Sequence, residues 1–307
     1  MDLVQIANKF LMQPMVEDVR RQDEFYVTVH CGVEVQEAWG RQVYGACHRA
    51  AWYRNRGHRT GETNPESAWK KYWGDLIEAG FFNVLKKAGI FIESQVGFWI
   101  PKYYLKGRVD GFVRDPDSWT GQDLLAKGSR MGIVGVEIKS TWSFGSKGTI
   151  EVSTGQKPWP KWEHIIQCAL YHWHFRQVAN YWQIVYLARD KGTARSHNIL
   201  VTEDNRISVN GEIVPFTVDH ILQRLSLLGM QLRKDEPPPR DFEIVYDRER
   251  LVKMADAGVL SKTDTDKVRK NNKIVKGDWQ CKWCEFAPMC WQGVPLPYDA
   301  DLEKVLR

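Results

Sequence analysis

The chain has 307 residues, with 43 Lys and Arg against 38 Asp and Glu, a formal net charge of +5. At 43% hydrophobic and 26% charged it can bury a sizeable core, which excludes intrinsic disorder for most of its length. No apolar run approaches the roughly 20 residues of a membrane span, and the mild basic excess permits a nucleic-acid partner without demanding one.

The opening residues, Asp2 among them, are too polar for a secretory leader, so the expected location is cytoplasmic. The length predicts one large or two modest domains. Two counts stand out: 14 Trp, read as core or stacking surface, and six Cys at 31, 47, 168, 281, 284 and 290. In a reducing compartment these are thiols or metal ligands rather than disulfides.

Residues 1–24 are amphipathic and predict a helix. Residues 33–54, free of proline, predict a second around Cys47, and 65–89 a third, bounded by Pro65 and Gly89. The texture then turns to short β-branched or aromatic runs at 94–100, 103–114 and 131–141, the last two parted by a polar stretch at 115–130. A helix is expected at 160–178, with Pro160 in its first turn. Strands follow at 181–188 and 197–202. A helix at 217–234 must stop before Pro237-Pro238-Pro239. Residues 243–276 read as a mostly helical, charged insertion, and 279–292 carry three of the cysteines. Helices around a strand cluster predict an α/β domain. The cysteine-bearing ends predict a small second lobe.

Glu137 and Lys139 lie in Val136-Glu-Ile-Lys-Ser140, and alternate strand residues share a face, so the two point together while Ile138 points into apolar packing. Asp110, in Gly107-Arg-Val-Asp-Gly111, can complete the group from a neighbouring strand. Carboxylates brought this close repel unless a cation separates them, and oxygen ligands suit Mg²⁺ or Mn²⁺. Such an ion polarises a phosphoryl oxygen and acidifies a bound water, while a neighbouring lysine orients or deprotonates that water. This is the chemistry of phosphodiester hydrolysis. Taken alone, a Glu-x-Lys on a strand is more often a salt-bridging face. Two helical pairs add weight: Gln167 and Tyr171, four apart on one face, and Gly74 with Glu78, a further metal carboxylate.

Cys281 and Cys284 have two residues between them in a short loop with Cys290, leaving a fourth position for a distant partner such as Cys47. Four thiolates suit either Zn²⁺ or an iron–sulfur cluster, and the chemistry alone does not separate them. Cys168 sits on an apolar helix face and is expected to be a buried core thiol.

In this order, Gly74-x3-Glu78, Asp110, Glu137-x-Lys139 and Gln167-x3-Tyr171 resemble the PD-(D/E)XK nucleases of the RecB-like exonuclease branch, over about residues 40–290. Glu78 stands where CRISPR-associated members usually carry His, which is closer to phage-type exonucleases. The resemblance implies a restriction-endonuclease-like core, a central mixed sheet flanked by helices, at 61–242. It implies a small iron–sulfur lobe built from 1–60 and 243–307. Asp110, Glu137 and the Ile138 carbonyl would bind Mg²⁺ or Mn²⁺ with Glu78 contributing, Lys139 would orient or activate the water, and Gln167 and Tyr171 would support Lys139 and the substrate strand. Cys47-His-Arg-Ala-Ala-Trp-Tyr53 with the C-terminal Cys-x2-Cys-x5-Cys is similar to the CRISPR-associated and AddB-type iron–sulfur nucleases, which implies a 4Fe–4S cluster on Cys47, Cys281, Cys284 and Cys290.

The implied activity is an exonuclease on single-stranded or end-exposed DNA in recombination, repair, replication or spacer processing, in a bacterium or phage-infected host. The implied companions are a second copy of the chain or a helicase, recombinase or CRISPR partner. Expected DNA contacts are Arg49, Arg54 and Arg56 in the acid-free stretch 41–61, Lys270 and Lys273 in the acid-free stretch 267–276, and Trp52 and Tyr53 as stacking platforms. No nucleotide-binding P-loop is present in the sequence. The rival readings are an endonuclease of the same fold, a non-cleaving DNA-binding scaffold and a zinc-stapled regulator.

Overall fold

The computed structural model describes residues 27–28, 30, 32–58, 65–115, 132–142, 158–272 and 274–305. The helix expected at 1–24, most of the 115–130 stretch, Cys31 and Lys273 lie outside them. The chain divides into two compact units, Met1–Glu24 with Glu62–Asp219 and Phe25–Gly61 with His220–Arg307. The division at 219 falls short of the expected core boundary at 242. Among the described residues no helix is long and apolar enough to cross a membrane.

The second unit begins with β1 (Val27–Thr28) and a hairpin, β2 (Val33–Glu37) and β3 (Gly40–Tyr44), followed by α1 (His48–Asn55). The expected helix over 33–54 is therefore wrong before His48. Val-Glu-Val-Gln alternates with period 2, so β2 buries Val33 and turns Glu34 and Gln36 outward, and Val33↔Tyr44 through Glu37↔Gly40 pair in register. Absence of proline permits a helix but does not outweigh that alternation.

The first unit begins with α2 (Pro65–Lys87), then β4 (Phe91–Ile100), β5 (Leu105–Arg114) and β6 (Ile133–Thr141). Next come α3 (Trp162–Phe175), β7 (Tyr181–Ala188), β8 (Ala194–Val201), β9 (Arg206–Val209) and β10 (Glu212–Thr217). The sheet is mixed: its path runs β5–β6–β7–β8–β9–β10 with β4 against β5, and only β6 and β7 are parallel among these pairs. A parallel pair needs a crossover, and α3 provides it. Phe81, Phe82 and Leu85 of α2 cover one face, packed on Val113, Val134, Val136, Ile138 and Val185. On the other face Phe175 of α3 meets Phe112 and Trp182. Two glycines permit this closeness: a Cβ on Gly111 would stand 2.6 Å from the Phe82 ring, and one on Gly135 would enter the Trp182 ring. Gly74 is not such a position: a Cβ there would meet Ser140 Oγ at an ordinary 3.9 Å.

The β9–β10 hairpin, absent from the sequence expectation, turns on Asn210-Gly211, both at positive φ. Beyond it, α4 (Val218–Gln231) straddles the division between the units. The second unit resumes with α5 (Arg248–Asp256), α6 (Lys262–Arg269), α7 (Trp279–Lys282), α8 (Ala287–Trp291) and α9 (Leu302–Val305). Residues 243–276 are not a peripheral insertion. Tyr246, Leu251, Met254, Leu260, Val268 and Ile274 form a core of their own with Trp39 and Tyr298.

Candidate active site and cysteine pocket

The β5–β6 ladder pairs Arg114↔Ile133 through Gly111↔Val136. One residue further on, Asp110 Oδ2 accepts the Ile138 N–H at 2.7 Å, so a carboxylate replaces the neighbouring strand's carbonyl. A strand residue's N–H and C=O project to the same side, so the Ile138 carbonyl faces this opening too.

Glu137 is 2% exposed. Its Oε1 accepts from Lys139 Nζ at 2.5 Å and from Gln167 Nε2 at 2.8 Å. Its Oε2 is buried without a hydrogen-bond partner. Gln167 Nε2 also donates to the Tyr171 hydroxyl at 2.8 Å, and that hydroxyl donates to the Arg108 carbonyl at 3.0 Å. The chain of bonds runs from β5 through α3 to β6 and fixes which Glu137 oxygen faces Lys139. This corrects two expected roles. Gln167 holds Glu137, not Lys139, and Tyr171 is fully buried against its own backbone partner, so it supports no substrate strand.

Glu78, on α2, accepts a hydrogen bond from Gln95 Nε2. Burial, then the charge of Asp110, push its pKa up to about 7. Burial lifts Glu137 to about 8, against the pull of Lys139, and raises Asp110. Burial alone would lower Lys139, but the charge and hydrogen bond of Glu137 and the charge of Asp110 together raise it. Burial is thus the main cause that raises all three acids, and the charges of Glu137 and Asp110 keep Lys139 protonated. Cys168 is fully buried in α3 as expected.

The sequence reading missed Gln95 and Arg108. Gln95 lies between the Ser94↔Gly111 and Val96↔Val109 pairs, across from Asp110, and has φ +58, a left-handed conformation that non-glycine residues seldom adopt. No local pattern announced it. Arg108, two residues before Asp110, pulls the pKa values of both Asp110 and Glu78 down.

In the second unit, Cys47 caps α1, Cys281 sits in α7, Cys284 follows it by one turn and Cys290 lies in α8. All four line one pocket, together with Arg49 and Trp291. The five described cysteines are free thiols. Burial, then the charge of Asp241, push Cys47 up to about 12, and burial raises Cys281 and Cys284. These thiols are not activated nucleophiles, which sit in electropositive surroundings. Four cysteines lining one pocket have the donor chemistry of a four-sulfur metal centre. Among the described residues, no three His, Cys, Asp or Glu side chains stand together as a ready-made metal-ligand group in either unit.

The expected DNA contacts fare differently. Trp52 and Tyr53 are 6% and 7% exposed; Trp52 donates to the Lys234 carbonyl and Tyr53 stacks on Phe286, so neither offers a ring to a base. Arg54 pairs with Glu285 at 3.1 Å and Arg56 with Asp235 at 3.2 Å, while Arg49 buries its Nε beside the cysteines. The acid-free run is thus neutralised by acids from elsewhere in the chain. Lys270 is exposed.

No family model and no curated protein matches the chain. Among solved structures, it is similar to one titled "Crystal structure of SSO0001", at 14% identity and a TM-score of 0.43, over 94% of this chain and 96% of the other.

Proposed function

We propose that the chain is a metal-dependent DNA nuclease of the PD-(D/E)XK, RecB-like kind, an exonuclease on single-stranded or end-exposed DNA in recombination, repair or replication. The observation that supports this reading is the meeting of Asp110, Glu137 and Lys139 where β5 and β6 part, with Glu137 Oε2 buried and unpartnered. Ionising two neighbouring buried carboxyl groups is costly unless a cation meets them. Asp110, Glu137 and the Ile138 carbonyl would hold Mg²⁺ or Mn²⁺, with Glu78 completing the set. Such an ion, when bound, supplies Lewis-acid polarisation of a phosphoryl oxygen and a water acidified toward neutrality.

The chain's own residues do the rest. Gln167 and Tyr171 orient Glu137. Lys139 remains an ammonium, because its pKa is raised. It orients the attacking water and stabilises charge developing on the phosphate, and it is not the base that deprotonates that water. The pocket thiols are assigned to a 4Fe–4S cluster on the resemblance of their pattern, with a mainly structural role: closing a very long loop between Cys47 and the tail.

The test is cleavage of end-labelled linear and circular single-stranded DNA with Mn²⁺ or Mg²⁺. Loss of linear DNA with circles spared is expected. Attack on circles replaces the exonuclease with an endonuclease, and intact DNA with every metal leaves a non-cleaving binding protein. Visible absorbance of the purified protein separates iron–sulfur from colourless zinc.

A further inference from the structure

With Trp52 and Tyr53 inside the core, the aromatic surface of the second unit lies elsewhere. Trp279 and Trp283 are 61% and 80% exposed, the latter the most exposed large hydrophobic side chain described. They belong to one helical turn: the Trp283 N–H donates to the Trp279 carbonyl at 3.2 Å, so both indoles leave the same side. The same turn carries Cys281, buried on its inner side, and leads into Cys284.

The turn is firmly held. Asp278, buried at its start, accepts from the Glu243 N–H at 2.7 Å and from the Tyr246 hydroxyl at 2.6 Å, and its own N–H donates to the Glu243 carbonyl at 2.7 Å. Two large apolar rings fixed in water by a buried anchor are costly to leave uncovered. The exposed ions next to them in the chain are Lys282, on the same turn, and Glu285, which Arg54 pairs at 3.1 Å, so Lys282 is the exposed cation of the turn and Arg54 offsets the exposed acid.

We propose that the Trp279–Trp283 turn is a stacking platform for the unpaired bases of single-stranded DNA, with Lys282 on the same turn meeting the phosphates. Base–aromatic stacking tolerates any sequence, and fixed cations beside it track the backbone. The charge selects nucleic acid over an apolar protein partner, and the free ring faces select unpaired over paired bases. The proposal deepens the nuclease reading and rests on it for the DNA, but it concerns binding rather than cleavage.

The experiment measures fluorescence anisotropy of a labelled oligo-dT and of a blunt duplex of equal length on the full, metal-loaded chain. Lys139→Ala is the background, so that nothing is cut. Trp279→Ala and Trp283→Ala each weaken oligo-dT binding about tenfold, the double variant about a hundredfold, and Trp283→Phe restores most of the loss. Duplex binding changes little, and Lys282→Gln flattens the salt dependence. Unchanged oligo-dT affinity in the double variant overturns the proposal. So does an equal loss on duplex, or a variant whose one change is from dimer to monomer in solution. A separate arm restores Lys139 and measures cleavage of a short oligonucleotide by the chain with no other change. If that arm cleaves nothing even with both tryptophans present, the nuclease reading fails while the binding result stands.

Discussion

Glu137 and the cysteines are held in opposite ways. Glu137 is fixed by a lysine two residues along its own strand and by a glutamine thirty residues away on α3. The thiols come from α1 near one end of the chain and from two short helices near the other, and what they share is a pocket. The carboxylate centre therefore has its geometry before any ion arrives, whereas the cysteine pocket must hold together segments whose separation makes loop closure expensive. Disturbing the first should damage chemistry and spare the fold; disturbing the second should do the reverse.

The largest effects should come from the first centre. Asp110→Ala and Glu137→Ala are expected to lower cleavage by about 10³-fold. Asp110→Asn should be as inactive yet melt like the parent, because an amide oxygen still accepts the Ile138 N–H. A variant that is inactive only because it unfolds would erase the contrast between the two regions.

Cys284→Ala is the converse. Bound metal and the folding of the second unit should be lost together, on a scale of about 10 kcal/mol for a structural metal centre. Hydrogen exchange should meanwhile leave β5–β8 of the first unit protected. Loss of protection in both units at once would mean that they fold as one.

Gln167→Leu removes one of the two donors to Glu137 Oε1 without altering any of the proposed metal ligands. Mn²⁺ affinity should fall about 10- to 100-fold by titration, as is usual for partners that orient a ligand.

The smallest effect is the pH response. Glu78 and Glu137 have folded pKa values raised to about 7 and about 8 from 4.5. A raised acid binds its proton more tightly in the folded chain, so its contribution to stability is complete below about 4.5 and is lost as the pH rises through 7 to 8. The thermal midpoint without added divalent ion should fall across that window. Added Mn²⁺, which needs the ionised carboxylates, should raise it more at pH 8 than at pH 6.

Much of this was legible in the sequence. The β6 alternation put Glu137 and Lys139 on one face and Ile138 on the other, and the helical spacing put Gln167 and Tyr171 together. The cysteine spacing set three thiols in one short stretch, and these line a pocket with Cys47, the partner that the resemblance implied. What failed depended on tertiary neighbours. Burial of Trp52 and Tyr53 is decided by Phe286 and Lys234, far along the chain. The basic run at 41–61 gave no sign of Asp235 and Glu285 waiting for it. Gln167 was assigned to the wrong partner because spacing gives a face but not the atom it meets. The β2–β3 hairpin and the Asn210-Gly211 turn were readable from alternation and turn residues, and were passed over.

The central claim is that Lys139 and its carboxylates cut DNA. The most direct test compares single-turnover cleavage of linear single-stranded DNA by the parent and Lys139→Ala at saturating Mn²⁺. The account predicts strong metal-dependent cleavage by the parent and a loss of at least about 10²-fold in the variant, with Mn²⁺ still bound. Equal cleavage by both proteins would contradict it.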